Sequence, residues 1–283
     1  MTAWIVVHAD DLGLHPAVDD GILETHVRGV VTSASIMASG ESFDHAVALC
    51  RANPTLDLGV HLTLVEERPL SRPEDVPSLV DGEGRMPPNF RAFVARWLSG
   101  RIRAADVRRE LSAQVRRVLD AGLRPTHLDS HQHVHALPGV WGVAAGLARE
   151  HGIRFLRLPR FDTLRGEGPP AAGLFRAGAN LLSRWHRLRW PPGVERPPAL
   201  RGGSLSGRMT TARLLALLEG LGPGFHEVLV HPGRDDPDLT ARYSRWGGYG
   251  WEVELEALTD PAVKARLERG DLRLTTFARG GRD

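Results

Sequence analysis

The chain has 283 residues, 42% of them apolar and 25% charged, which excludes a disordered chain and leaves room for one large domain of α/β-barrel size or for two small ones. Basic and acidic residues nearly balance at 36 to 34, so nothing in the net charge of +2 calls for a nucleic-acid partner. The one cysteine, Cys50, excludes an internal disulfide and a thiolate metal cluster, and no run reaches the roughly 18 apolar residues that a membrane span needs.

Residues 4–7 read as a buried strand of a parallel sheet, followed at once by Asp10 and Asp11. On a strand these neighbours point to opposite faces, which suits a metal ligand beside a general base. The same pair could cap the helix predicted over residues 16–27, whose first turn is acidic. With no charged-then-apolar leader before residue 4, a cytoplasmic protein is expected. A β-rich run follows at 30–37, then a helix over 42–52 with Cys50 on its apolar side, then a strand over 56–64. His61 stands alone among the apolar residues of that strand, where a satisfied core histidine is the commoner role.

Residues 66–88 are rich in proline, glycine and acid without periodicity, as in loops that cover binding sites. Helices are predicted over 89–98 and 104–121, the second with Val107, Leu111, Val115 and Leu119 on one stripe. After a further helix over 138–151, residues 153–160 alternate as a strand that carries Arg154, Arg157 and Arg160. Residues 162–207 break this rhythm and read as an insertion or lid, with one helical piece over about 171–185. Regularity returns with a helix over 211–221 and a strand over 225–230 that ends at His231-Pro232-Gly233. A loop carrying Tyr243, Trp246, Tyr249 and Trp251 precedes a helix reaching Glu268 and a last strand over 272–277. Its rings suit stacking on apolar sugar faces, or packing under a barrel rim. About seven strands alternating with helices predict a parallel α/β barrel or near-barrel. No glycine-rich phosphate loop follows the first strand, so a nucleotide-binding fold has no support.

Between the helices predicted over 104–121 and 138–151 lie residues 126–135, Thr-His-Leu-Asp-Ser-His-Gln-His-Val-His, with four histidines and an aspartate in ten residues. As an extended segment it would carry His127, Asp129, His131, His133 and His135 on one face, with Leu128 and Val134 on the other. Neutral imidazole is the commonest protein ligand for divalent transition metals, so a metal site is the first hypothesis and a water-facing strand the bland one. Asp10, Asp11, His61, His131 and His231 could all lie at C-terminal ends of strands, where barrels of this type gather catalytic groups.

Taken together, Ala9-Asp10-Asp11-Leu12-Gly13, residues 29–33 (GVVTS), 59–62 (GVHL), 125–135 (PTHLDSHQHVH) and His231-Pro232-Gly233 resemble the YdjC-like carbohydrate deacetylase family, whose relatives include a hopanoid-biosynthesis branch. Leu12 stands where that family usually has phenylalanine, and Gln132 where a histidine is frequent. The resemblance implies a distorted TIM-like barrel that removes acetyl groups from N-acetylated sugars with a divalent metal, Mg2+ or Zn2+, and makes a homodimer reasonable. It implies Asp11, His61 and His131 as metal ligands, Asp10 as general base and His231 as general acid. Asp129 would orient a ligand histidine, with His133, Arg157 and Trp246 as further residues behind the ligands or against the substrate. The alternatives are an amidase or deacetylase of a lipid-linked sugar, and a binding protein that kept the fold without turnover.

Overall fold

The computed structural model describes residues 2–161 and 170–281. Eight strands are named in chain order: β1 (Ala3–Leu12), β2 (Ser33–Ile36), β3 (Asp57–Leu62), β4 (His127–Ser130), β5 (Phe155–Leu156), β6 (Ala199–Arg201), β7 (Gly224–Val230) and β8 (Leu272–Leu274). They form one sheet in the order β5-β4-β3-β2-β1-β7-β6, and every pairing is parallel. β8 runs beside the first residues of β1, on Ala3, Trp4 and Ile5. A parallel bridge from Phe155 to Glu195, just ahead of β6, draws the two edges together. The fold is the expected distorted TIM-like α/β barrel.

Strand alternation sets the layers. On β1, Ile5, Val7 and Ala9 belong to the large apolar cluster shared with the helices. Val6, on the opposite face, packs with Phe155 and Phe277. Above this plug the lining turns polar: His127 stacks on Phe277 at 3.9 Å, and His8 meets both rings edge-on. Gly59 is what admits the His127 ring, because a Cβ there would lie 2.2 Å from His127 Nε2.

Several expected elements shift. β4 ends at Ser130, and residues 131–136 form a 3-10 turn in which Gln132 and His133 take positive φ values of 52° and 56°. The extended histidine face is therefore replaced by a turn that sends each ring a different way. β5 keeps two residues of its predicted eight, since Pro159 has no N–H for a ladder. Within the segment read as an insertion, residues 162–169 lie outside the described residues, helix Pro170–Leu188 is present, and its end supplies β6, a strand of the barrel itself. β6 has no signature in the sequence, because three residues among prolines and arginines carry no period.

Helix Pro16–Val27 packs so closely on the turn after β7 that a Cβ on Gly21 would lie 2.4 Å from Gly233 Cα. Gly21→Ala should therefore cost about 1–3 kcal/mol by overpacking, read as a lower urea midpoint at unchanged slope. A midpoint equal to that of the parent would show that the turn yields freely.

Candidate active site

The C-terminal ends of β1, β3, β4 and β7 surround a cavity of about 850 Å³ lined by Asp10, Asp11, His61, His131, His133 and His231, with Trp246 and Tyr249 at one side. Asp10 and Asp11 both face it, contrary to the alternation of a regular strand. The register of β1 against β2 shifts between Ala9 and Leu12, and Asp11 adopts φ 69°, so this bulge turns two successive carboxylates to one side. The turn is tied by Asp19, whose Oδ1 accepts from Gly13 N at 2.5 Å.

Asp11 Oδ1 lies 2.8 Å from His131 Nδ1 and 3.2 Å from His61 Nε2. The second nitrogen of each ring is also engaged. His61 Nδ1 donates to Asp129 Oδ1 at 2.8 Å, and His131 Nε2 meets Glu66 Oε2 at 2.9 Å. Burial would lower both imidazoles, yet the carboxylates around them win: His61 is pushed up to about 9 and His131 well above its ordinary value. Asp11 is correspondingly held far below the usual carboxylate range, against its own burial, by the two histidines.

Asp11, His61 and His131 can each place one ligand atom so that all lie within 4.8 Å of one another. Two deeper groups, His8-His127-Asp129 and Asp10-His61-Asp129, meet the same distance, but only Asp11, His61 and His131 all line the cavity. One carboxylate and two imidazoles, buried and next to open volume, fit a divalent ion that keeps positions free for substrate. Because ligand imidazoles must be neutral, such an ion and the protons on these rings are alternatives.

Asp10 is built differently. Arg157 from the end of β5 donates to both its oxygens, at 2.8 and 2.7 Å, and His8 Nε2 lies 3.2 Å from Oδ1. Arg157 is 2% exposed and also contacts Asp129 Oδ2 at 2.8 Å and Glu227 Oε1 at 2.6 Å, so one guanidinium serves three buried carboxylates. Burial would raise Asp10, but Arg157 and His61 hold it well below the ordinary value, so it is ionised at neutral pH. His231 Nε2 stands 3.9 Å from Asp10 Oδ2. Its backbone N–H donates to Glu254 Oε2 at 2.6 Å, and its buried Nδ1 has no hydrogen-bond partner among the described residues.

Every candidate residue thus reaches one neighbourhood, though not every histidine of the 127–135 run does. His133 lines the cavity with its ring against Phe161, and burial pushes it down to about 3, so it is neutral. His127 and His135 belong to the interior, His135 bonding Ser130 Oγ and Arg157 O. Glu66 was missed. Its carboxylate bridges His131 and the indole Nε1 of Trp246, the latter at 3.1 Å. Glu67 next to it accepts from Tyr243 OH, so the 66–88 loop and the aromatic loop are tied together over the site. Asp11, Glu66, Gln132 and His133 are the non-glycine residues with positive φ among the described residues, and all four border this site. Strain of this kind collects at functional sites.

Asp19 makes a testable contribution. Burial raises its carboxyl to about 7, whereas unfolded it titrates at about 3.9. Between those values the folded state holds the proton and the unfolded state does not, so stability falls as pH rises from about 4 to 7, by at most about 4 kcal/mol. Asp19→Asn, which keeps an acceptor for Gly13, should flatten that part of the stability profile in urea titrations; an unchanged slope would refute the assignment.

A family model described as YdjC-like protein matches residues 4–269. The chain is 35% identical over 281 residues to a carbohydrate deacetylase of Geobacillus stearothermophilus, covering 98% of each. It is 32% identical over 286 residues to a chitooligosaccharide deacetylase of Klebsiella pneumoniae, covering 98% of this chain and 99% of the relative. Among solved structures, a protein of Enterococcus faecalis V583 named for cellobiose-phosphate cleavage superposes with a TM-score of 0.78 at 28% identity, covering 99% of each chain.

Proposed function

Since this chain belongs to the YdjC-like protein family, we propose that it is a carbohydrate deacetylase that hydrolyses the N-acetyl group of acetylated sugars of the chitooligosaccharide kind. The observation that carries the proposal is the convergence of Asp10, Asp11, His61, His131 and His231 on one cavity. An acetamide is a poor electrophile. Asp11, His61 and His131 would hold a divalent ion, which when bound supplies a Lewis acid for the amide carbonyl and lowers the pKa of bound water.

The chain's own groups account for the proton transfers. Asp10, kept ionised by Arg157, takes a proton from the attacking water. His231, whose Nε2 stands 3.9 Å from Asp10 Oδ2, gives a proton to the leaving amine, so that acetate and a free amino sugar result. Asp129 fixes the His61 ring, leaving Nε2 turned to Asp11 and the cavity. Trp246 and Tyr249 offer ring faces to the sugar, and Trp246 is held by its bond to Glu66. Trp246→Ala should raise KM for an N-acetylglucosamine oligomer about tenfold with a smaller change in kcat; an unchanged KM would remove it from sugar binding.

The direct test is metal content of the protein purified without chelator, together with acetate release from an N-acetylglucosamine oligomer. Release that EDTA abolishes and Mg2+ or Zn2+ restores supports the proposal. Bound metal without acetate from any oligomer would count against it. A second reading, an acetylated sugar carrying an apolar group, is favoured by the wall that Phe90, Val94, Leu98 and Phe161 form along the same cavity. Acetate released from a glycolipid but from no oligomer would select it.

A further inference from the structure

Helix Pro170–Leu188 packs Ala179 and Leu182 inward and carries a second apolar face outside. A surface helix normally turns its apolar stripe to the core. Here the inward side is also held by polar bonds: Asn180 pairs with Phe161 N and O at 2.8 and 3.0 Å, Ser183 Oγ donates to Pro159 O, and His186 Nε2 meets Ala136 O at 2.8 Å. Leu174, Leu181, Trp185 and Leu188 point outward, and the three leucines are 78%, 69% and 86% exposed. At about 100° per residue these four occupy an arc of about 60°. Arg184 borders it on one side and Arg189 on the other, its guanidinium over the Trp185 ring at 4.9 Å, while the exposed Arg187 lies about 100° beyond the arc. Residues 170–190 contain four arginines and no carboxylate.

We propose that this helix seats the protein on an anionic lipid bilayer, with Leu174, Leu181, Trp185 and Leu188 in the headgroup–acyl boundary and Arg184 and Arg189 on lipid phosphates. A leucine and tryptophan face bordered by cations, without a counter-charge of its own, is the composition that such an interface selects. Charge argues against a second copy as the occupant, because face-to-face pairing would set arginines against arginines with no acid on the helix to offset them. The helix is far from apolar enough to cross a membrane, and no helix among the described residues is. Through Asn180 and Phe161 it adjoins the cavity, so a docked protein presents its site beside the lipid surface. The proposal is independent of the deacetylase reading.

The test is flotation of the full chain with vesicles of phosphatidylcholine alone and of phosphatidylcholine with phosphatidylglycerol in equal parts. Binding to the mixed vesicles that weakens with salt, and little to the neutral ones, is expected. Arg184→Gln and Arg189→Gln together should lower the partition coefficient about 30-fold. Leu181→Glu with Leu188→Glu should abolish binding while circular dichroism and turnover of soluble substrate stay at parent levels. No binding to the mixed vesicles, or binding that the glutamate variant retains, overturns the proposal. So does a dimer in sedimentation that the same variant converts to monomer, which would assign the face to a second copy.

Discussion

Asp11→Ala and His131→Ala are each expected to lose divalent metal and acetate release together, whereas Asp10→Asn should keep the metal and lose turnover about 10²–10⁴-fold. The two aspartates are neighbours, so the contrast isolates role from location. Asp11 Oδ1 is the one oxygen on which both imidazoles converge, at 2.8 and 3.2 Å, and removing it leaves two histidines that alone make a poor site. Asp10 stands one residue away but has both oxygens on Arg157, so its amide would disturb the ligand triad little. What it would lose is the ability to accept a proton. Metal affinity by calorimetry and acetate release on the same preparations decide the matter. Full metal retention by both Asp11→Ala and His131→Ala would sink the ligand assignment, and normal turnover by Asp10→Asn would sink the base.

Arg157→Met should be the most destabilising single change at the site, by about 3–5 kcal/mol in urea unfolding. The guanidinium is among the largest fully buried side chains and offsets Asp10, Asp129 and Glu227 at once. Without it three carboxylates would share a polar layer with the His8 and His61 rings as their nearest other partners. Arg157→Lys should rescue little, since a compact ammonium cannot reach three carboxylates in the geometry of a planar fork. Adding Glu227→Gln to Arg157→Met should recover more than 1 kcal/mol, because it removes one of the stranded charges. A loss below about 1 kcal/mol for Arg157→Met would mean that water or protonation compensates, and that the layer is not held by this residue.

The parts of the site legible in the sequence are those with unusual local density or position. Asp10-Asp11 immediately after an apolar run, His231 at the end of another, and four histidines in ten residues each stand out against their surroundings. Residues that act singly did not. His8 and Glu227 are polar residues inside apolar strands, a pattern that signals a polar barrel interior only once the strands are known to close on themselves. Glu66 opens a loop without period, and nothing local shows that its carboxylate returns to His131 and Trp246. The histidine run misled in the opposite direction. Its alternation is real as a sequence pattern, but Gln132 and His133 adopt left-handed backbone, which side-chain periodicity cannot report.

By itself the sequence determined the class of the fold, through strands and helices that alternate with the right lengths, and the chemistry available, through where its carboxylates and imidazoles fall. Those properties are local or periodic, so they survive in a linear reading. Only the tertiary structure decided the roles. The bulge at Asp11, the guanidinium shared among Asp10, Asp129 and Glu227, and the outward leucines of helix Pro170–Leu188 all depend on which distant residues meet when the sheet curls. Pairing of buried charge and exposure of apolar surface are properties of closed volumes, and no window along the chain contains one.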